Sequence, residues 1–330
     1  MLHDTQGNSP SVSIVVCCYN AGATVSRTLE SLRAQTFTDF EILAIDDGSK
    51  DDTVAVLRGC AARDTRLRIL ENPGNRGTAF SRQRGLDTAR ADLVMSVDAD
   101  DIADPHLVER LHETLIRDPD LLGVGCYTTY FTEEGKDLGV QRVGPESRAA
   151  FERLYREAKI LFMVQITMFR KADALAVGGY RQDVMPNPDG IRYQDFSEDL
   201  DLWCRMSDLG AEGRYFLTLP ESLLRYRKPL DALSTKNLVH MQLKMRWIKD
   251  CLRRRRTGRP ERSLAEFIAS RSAGERFADW RSDRAAGFYK RAGFAYAKRN
   301  FAGLAWFLLL TGLMSPKLIR QKIATQRVAR

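Results

Sequence analysis

Three stretches in the first hundred residues are apolar almost without interruption, 12–18, 40–45 and 93–97, and a fourth strand is expected at 66–70, where Leu67, Ile69 and Leu70 are interleaved with two arginines. Runs of this length and continuity are expected of parallel strands covered on both faces; half-buried strands alternate instead. Between them the spacing changes. Val25, Leu29 and Leu32 recur at helical intervals within 24–35, and Val54, Leu57 and Cys60 do so after Asp52. Residues 78–89 supply a third helix. The alternation predicts an α/β fold with a mainly parallel, doubly wound sheet and helices on both faces. Ligands of such sheets bind beyond the carboxyl ends of the strands. Each apolar run ends in polar or turn-forming residues: Tyr19-Asn20, Asp46-Asp47-Gly48-Ser49, Gly74-Asn75-Arg76-Gly77 and Asp98-Ala99-Asp100-Asp101. Four strand ends therefore converge on one crevice.

Beyond Pro105 the pattern predicts a helix to Arg117, antiparallel strands over 121–131 and 138–143, a helix over 148–159 and a strand over 161–170. A short helix leads to Gly178-Gly179-Tyr180. The Pro- and Gly-containing stretch 181–196 reads as a long loop. Ser197 opens a helix to Leu209, and strands over 213–217 and 222–226 close the body. From Ser234 the chain reads as basic helices. The expected organisation is a polar lead over 1–10, a single α/β domain over 11–230 and a helical extension over 231–330.

Charge sharpens that division. The 330 residues carry a net charge of +8, but residues 231–330 hold 23 Lys and Arg against 7 Asp and Glu, leaving the first 230 net negative. An acidic body with a basic tail suggests that the tail meets an anionic surface. The six cysteines contain no C-x-x-C and the four histidines no H-E-x-x-H, so reduced thiols are expected and a zinc site is not. There is no N-terminal apolar run of the signal-peptide kind, and a cytoplasmic protein is expected.

The densest chemistry lies at Asp98, Asp100 and Asp101. Three carboxylates within four residues repel one another unless a cation sits among them. Hard oxygen ligands suit Mg²⁺ or Mn²⁺, completed by water and phosphate oxygens. A helix start at Asp104-Pro105 accounts for Asp104 and reaches back to Asp101, but does not account for Asp98 and Asp100. Asp46-Asp47-Gly48-Ser49 fits a plain turn or a carboxylate gripping a ribose hydroxyl or base N–H. Ser197-Glu198-Asp199 fits an N-cap followed by acids, or an acid poised as general base. Arg76 lies in the glycine loop and Arg82 and Arg84 on the helix after it; of these Arg82 is the candidate for balancing phosphate charge, the alternative being a solvated helix face. Neither G-x-G-x-x-G nor G-x-x-x-x-G-K-[ST] occurs, which argues against NAD(P) enzymes and P-loop NTPases.

Val12 to Asn20, Asp46-Asp47-Gly48-Ser49-Lys50-Asp51-Asp52-Thr53, Gly77 to Gly85, Asp98-Ala99-Asp100-Asp101, Gly178-Gly179-Tyr180 and Ser197-Glu198-Asp199-Leu200-Asp201-Leu202-Trp203 occur in the order and spacing of family 2 glycosyltransferases. The resemblance covers residues 11–228. It implies the GT-A fold, a nucleotide-diphosphate sugar donor (a UDP-sugar favoured), Mn²⁺ or Mg²⁺, and inversion at the anomeric carbon. By position, Cys17 and Tyr19 should border the nucleotide, Asp47 should hold the base, and Arg82 should lie towards the donor. Asp100 should contact the ribose or donor sugar and share the metal with Asp101. Asp98 should assist the metal or shape the turn. Asp199 should be the base that deprotonates the acceptor, with Glu198 its acidic neighbour. The acceptor is expected to be a glycan, lipid-linked or protein hydroxyl, and nucleic acid is not an expected partner.

Two elements depart from the family pattern. Tyr226-Arg227-Lys228-Pro229 carries Pro where many members have His, leaving that contact missing or made by Lys228. Gln242-Leu243-Lys244-Met245-Arg246-Trp247 is one residue too long for the Q-x-x-R-W signature of processive polymerases, so a non-processive enzyme is expected. The tail contains a charge-free run from Phe301 to Pro316, short of the roughly 20 residues that span a bilayer. It reads as a helix covering the catalytic domain; the alternative is peripheral contact with an anionic membrane through residues 250–330, Arg253 to Arg256 contributing. Rival functions are a D-x-D phosphatase or phosphotransferase, and a nucleotidyltransferase.

Overall fold

A computed structural model describes residues 9–164, 166–182, 191–227, 237–297 and 299–320. The chain divides into two compact units, one formed by residues 1–232 with 248–261, the other by 233–247 with 262–330. The expected boundary at 230/231 lies outside the described residues.

The first unit is built on a nine-stranded sheet. Strands β1 (Val12–Cys18), β2 (Phe40–Asp46), β3 (Leu67–Glu71) and β4 (Leu93–Asp98) are its parallel half, arranged 3-2-1-4. Helices α1 (Val25–Arg33), α2 (Thr53–Ala61) and α3 (Thr78–Thr88) connect them. All seven residues of β2 are buried, and six of seven in β1, as continuous apolar runs require. Polar groups inside these strands are matched at the end away from the crevice. Ser13 donates to Glu41 at 2.8 Å, and Glu41 also takes bonds from Arg68 and Arg90.

The chain proceeds outward from β1 to β3 and returns to β4 on the other side of β1. The topological switch point therefore lies between β1 and β4, with Cys17 opposite Asp98 in register. Next come β5 (Ile102–Ala103), α4 (Leu107–Arg117), β6 (Leu121–Phe131), β7 (Asp137–Gln141) and α5 (Arg148–Arg156). They are followed by β8 (Met168–Arg170), α6 (Lys171–Ala176), α7 (Glu198–Met206) and β9 (Tyr215–Arg227). The full order is β3-β2-β1-β4-β8-β6-β9-β5, with β7 on β6. Only residues 99–101 separate β4 from β5, yet β5 ends the order, paired antiparallel to β9. The sheet therefore curls back, and this brings the end of β9 beside the acid cluster.

Three expected strands differ. Among the described residues of 161–170 only Met168–Arg170 form a paired strand, wedged antiparallel between β4 and β6. Leu161, Met163 and Val164 are buried by packing over the sheet, so their apolar pattern reports burial without pairing. The two strands expected at 213–217 and 222–226 are one, β9, parallel to β6. Its register jumps from Leu219 to Ser222, so Pro220, which has no N–H to donate, sits in an irregularity that the strand passes through.

The second unit is helical. It contains the first half of α8 (Leu238–Arg256), α9 (Leu264–Ala269), α10 (Ala273–Ala297) and α11 (Phe301–Met314). Ser263 and Glu266 form a reciprocal capping box on α9. Arg246 pairs with Asp279 and Asp283, and the Trp247 indole donates to the Arg262 carbonyl at 2.8 Å. The two residues that imitate a polymerase signature are engaged in packing this unit.

Candidate active site

The crevice lies at the carboxyl ends of β1, β2 and β4. Burial pushes the Cys17 thiol up to about 12, against the pull of Arg82, so it is a neutral side chain at the end of β1. Tyr19, just beyond β1, is 46% exposed, leaving its ring open to stacking.

Asp47 is buried and heavily engaged. Its Oδ1 accepts from Asn72 Nδ2 at 2.7 Å and the Arg76 N–H at 2.8 Å, and its Oδ2 accepts from the Gly77 N–H at 2.8 Å. Three of about four lone-pair sites on a carboxylate are thus occupied. The carboxylate shapes the glycine loop, and one site on Oδ2 remains for a ligand. Asp46 forms the turn itself, accepting from the Gly48 and Ser49 N–H groups at 3.1 Å.

The acid cluster meets a cation supplied by β9. Arg227 Nε donates to Asp100 at 2.9 Å, and the Arg227 N–H donates to Asp101 Oδ1 at 2.9 Å. Asp101 is wholly buried, and its Oδ2 has no hydrogen-bond partner. Burial, then Asp98 and Asp100, raise its carboxyl well above the usual range. Asp98 is raised to about 6, by desolvation first and by Asp100 and Asp199, against the pull of Arg82.

Helix α7 delivers the second pair of acids. Ser197 precedes it in the left-handed region, with φ 54°, and its side chain makes no cap bond. The ordinary N-cap reading of this serine therefore fails. The backbone is held in a costly conformation where the chain turns its acids inward. Glu198 is buried and accepts from Arg82 Nη1 at 2.6 Å. Desolvation first, and then Asp199, lift Glu198 to about 7 against the pull of Arg82. Asp199 is half-buried. Its charge acts on Asp98, Glu198 and Arg82, so α7 and the β4 cluster share one electrostatic site.

Arg82 is only 5% exposed and reaches Asp98 at 3.3 Å through Nη2 as well as Glu198. The solvated-face alternative does not hold for it. Arg84, by contrast, caps the Glu71 carbonyl, and Arg76 lies over the Phe80 ring.

The cluster fits a divalent cation of the kind held by one or two carboxylates and completed by water and phosphate oxygens. The unpartnered buried oxygen of Asp101 is the observation that favours it, since such an atom is costly without a proton or a metal. No group of three or more His, Cys, Asp or Glu gathers for a metal among the described residues, so a cage made wholly of protein ligands is not the fit.

Residues 13–176 match the family described as glycosyl transferase family 2. An uncharacterized glycosyltransferase of Haemophilus influenzae is 29% identical over 230 residues. The alignment spans 67% of this chain and 66% of that one, just short of two thirds of the relative's length. The chain belongs to glycosyl transferase family 2. Among solved structures, S. aureus TarS (residues 1–349) matches with a TM-score of 0.52 at 15% identity, covering 84% of this chain and 80% of that one. The mannosyltransferase PcManGT from Pyrobaculum calidifontis, in complex with GDP-Man and Mn²⁺, matches with a TM-score of 0.52 at 16% identity, covering 92% and 86%. At these identities the likeness carries the fold, which is GT-A.

Further residues of this family 2 chain surround the candidate site. Arg227 was visible in the sequence only as a neighbour of the Pro that replaces the family His; Lys228 and Pro229 themselves lie outside the described residues. Asp195 accepts from the Ala79 N–H at 3.0 Å, at the start of α3, and Arg192 beside it donates to the Asn75 carbonyl at 3.0 Å. These two tie the segment before α7 to the glycine loop, and an acid in a polar loop gives no signal for it. Tyr180 is buried with its N–H on Gln83 at 2.7 Å, and Arg205 clamps the turn before it through the Val177 and Gly179 carbonyls.

Proposed function

We propose that this chain is an inverting, metal-dependent, non-processive glycosyltransferase that moves a sugar from a nucleotide-diphosphate donor to an acceptor hydroxyl. The observation that carries the reading is the meeting of α7 with the β4 cluster: half-buried Asp199 shares its field with Asp98 across a hundred residues of sequence. An acid placed beside a phosphate-and-cation site can take a proton from a hydroxyl attacking there.

Asp199 would accept the proton of the acceptor oxygen as that oxygen attacks the anomeric carbon from the face opposite the leaving diphosphate. Glu198 would stand beside the base, paired with Arg82, whose single charge is shared with Asp98. Tyr19 would stack near the base of the nucleotide and Cys17 would wall its pocket. Asp47 would meet the base with the lone-pair site that its loop leaves open. Asp101 and Asp100 would hold Mn²⁺ or Mg²⁺, with Asp98 in support. Such a cation, when bound, neutralises the diphosphate and makes it a better leaving group. The donor side draws support from TarS, which has been solved with UDP and with UDP-GlcNAc, and from PcManGT with GDP-Man. A UDP-sugar is the favoured donor, and the acceptor is a glycan, lipid-linked or protein hydroxyl.

The test is a thermal-shift screen of UDP-, GDP- and dTDP-sugars with Mn²⁺, followed by detection of nucleotide release with acceptor mixtures. A rise in melting temperature with one nucleotide class, and release that stops in EDTA, are expected. Phosphate release from a generic aryl phosphate, with no response to any nucleotide sugar, would move the chain to the D-x-D phosphatase reading.

A further inference from the structure

The apolar helix of the second unit points away from the role of simple packing. Asn300 caps α11, accepting from the Gly303 N–H at 2.9 Å, and the helix then runs 14 residues without a charge. One side of it packs on α10. Thr311 is fully buried, Phe307 stacks with Phe288 at 6.5 Å, and Arg281 donates to the Met314 carbonyl at 3.0 Å. The opposite side is equally apolar and exposed. Phe301 is 65% exposed, Trp306 57%, Leu309 55% and Leu313 67%. With Ala305, these positions fall within one helical stripe. A helix that is apolar on all sides is ordinarily buried in a large core or in lipid.

Charge selects between covers. From Arg284 to the last residue the chain carries ten Lys and Arg and no Asp or Glu. Arg299 precedes α11, and Lys317 and Arg320 follow it, all three exposed. An apolar stripe bearing a Trp and bracketed by basic side chains suits the interface of an anionic bilayer, where the rings and aliphatic groups enter the acyl boundary and the cations meet the headgroups. A bare polyanion would satisfy the cations and leave the stripe wet. Among the described residues no helix is long and apolar enough to cross a membrane, and 14 residues at 1.5 Å each span about 21 Å, short of a roughly 30 Å hydrocarbon core.

We propose that α11 docks the protein on an anionic lipid surface, its Phe301–Trp306–Leu309–Leu313 stripe lying in the interface and Arg299, Lys317 and Arg320 on the headgroups. This narrows the expected contact region. Arg255 and Arg256, expected to contribute, are engaged within the first unit: both pair with Asp208, Arg255 also with Glu261, and Arg256 lies over the Tyr155 ring. Their charges are already matched by carboxylates and leave little for lipid.

The experiment is co-sedimentation of the full chain with vesicles of phosphatidylcholine alone, and of phosphatidylcholine with about a third phosphatidylglycerol, at low and high salt. Trp306→Glu with Leu309→Glu tests the stripe. Lys317→Glu with Arg320→Glu tests the cations. Both pairs lie off the α10-facing side, and an unchanged thermal melt confirms that each variant folds. Expected are pelleting with anionic vesicles only, weakened by salt, and a loss of about tenfold or more in vesicle affinity in each variant, a difference of about 1.4 kcal/mol. Wild type that stays in the supernatant overturns the proposal. So does equal pelleting on neutral vesicles, or a glutamate stripe that still pellets. A wild type that self-associates without binding vesicles, and becomes monomeric when the stripe is charged, assigns the face to a second copy. None of these outcomes depends on glycosyl transfer.

Discussion

Arg82 and Glu198 stand 116 residues apart in sequence and share a 2.6 Å hydrogen bond in a buried site. The same guanidinium reaches Asp98 at 3.3 Å. One cation therefore serves carboxylates from two elements, the end of β4 and the start of α7, and cannot fully neutralise both. That shortage leaves desolvation to hold both carboxyls above their ordinary range.

Removing the shared cation should be costly. Arg82→Met leaves Glu198 and Asp98 without their partner, and stripping one side of a buried ion pair typically costs about 3–5 kcal/mol. Urea denaturation near neutral pH measures it. A loss within the range of ordinary surface substitutions would mean that the two acids find water or other donors.

The same pair sets a pH dependence. Glu198 titrates at about 7 in the folded chain, above the value of an exposed glutamate. The folded state then binds this proton more tightly than the unfolded state does, so Glu198 favours folding at low pH and that contribution disappears as pH rises towards 7. Glu198→Gln has no proton to release. Thermal melts from about pH 4.5 to 8 should fall less steeply for the variant than for wild type; parallel curves would remove Glu198 as the source.

Asp199→Asn should separate binding from chemistry. The amide keeps the shape but cannot accept the proton, and loss of a general base typically lowers turnover by about 10²–10⁴-fold. Donor affinity by calorimetry should stay within a few fold of wild type. Transfer at near-normal rate would reassign the base.

Cation removal should act through the β4 cluster. EDTA is expected to abolish turnover, with Mn²⁺ or Mg²⁺ restoring it. Because Asp98 is raised to about 6, its proton competes with a cation below that pH. The thermal stabilisation by Mn²⁺ should be larger at alkaline than at acid pH, and it should shrink in Asp101→Asn. Full turnover in chelator would refute the metal.

Gly77 tests the contact between the glycine loop and the segment before α7. Its φ is 97°, and a Cβ there would come within 2.1 Å of Asp195 Oδ2. Its ψ of 166° places it in an extended region at positive φ that is almost confined to glycine, so Gly77→Ala should cost about 1–3 kcal/mol for the backbone alone and more for the clash. Adding Asp195→Ala should recover the second part only, measured as a double-mutant cycle.

What the sequence determined by itself is local and periodic. The β1–β4 runs, the helices between them and the acids at the strand ends follow from apolar spacing and turn chemistry within windows of a dozen residues, and they suffice for the parallel half-sheet and the crevice. The tertiary structure decided everything that joins distant segments. It threaded Met168–Arg170 between β4 and β6, carried β9 through Pro220 and curled the sheet until Arg227 met Asp100 and Asp101. It turned Arg82 inward to Glu198 and set Asp195 on the start of α3. Such pairings depend on which charged groups are buried together, and burial of a polar side chain leaves no periodic trace in the chain. The Asp98–Asp101 cluster was therefore legible as a site in the sequence, while the cations that answer it emerged only from the fold.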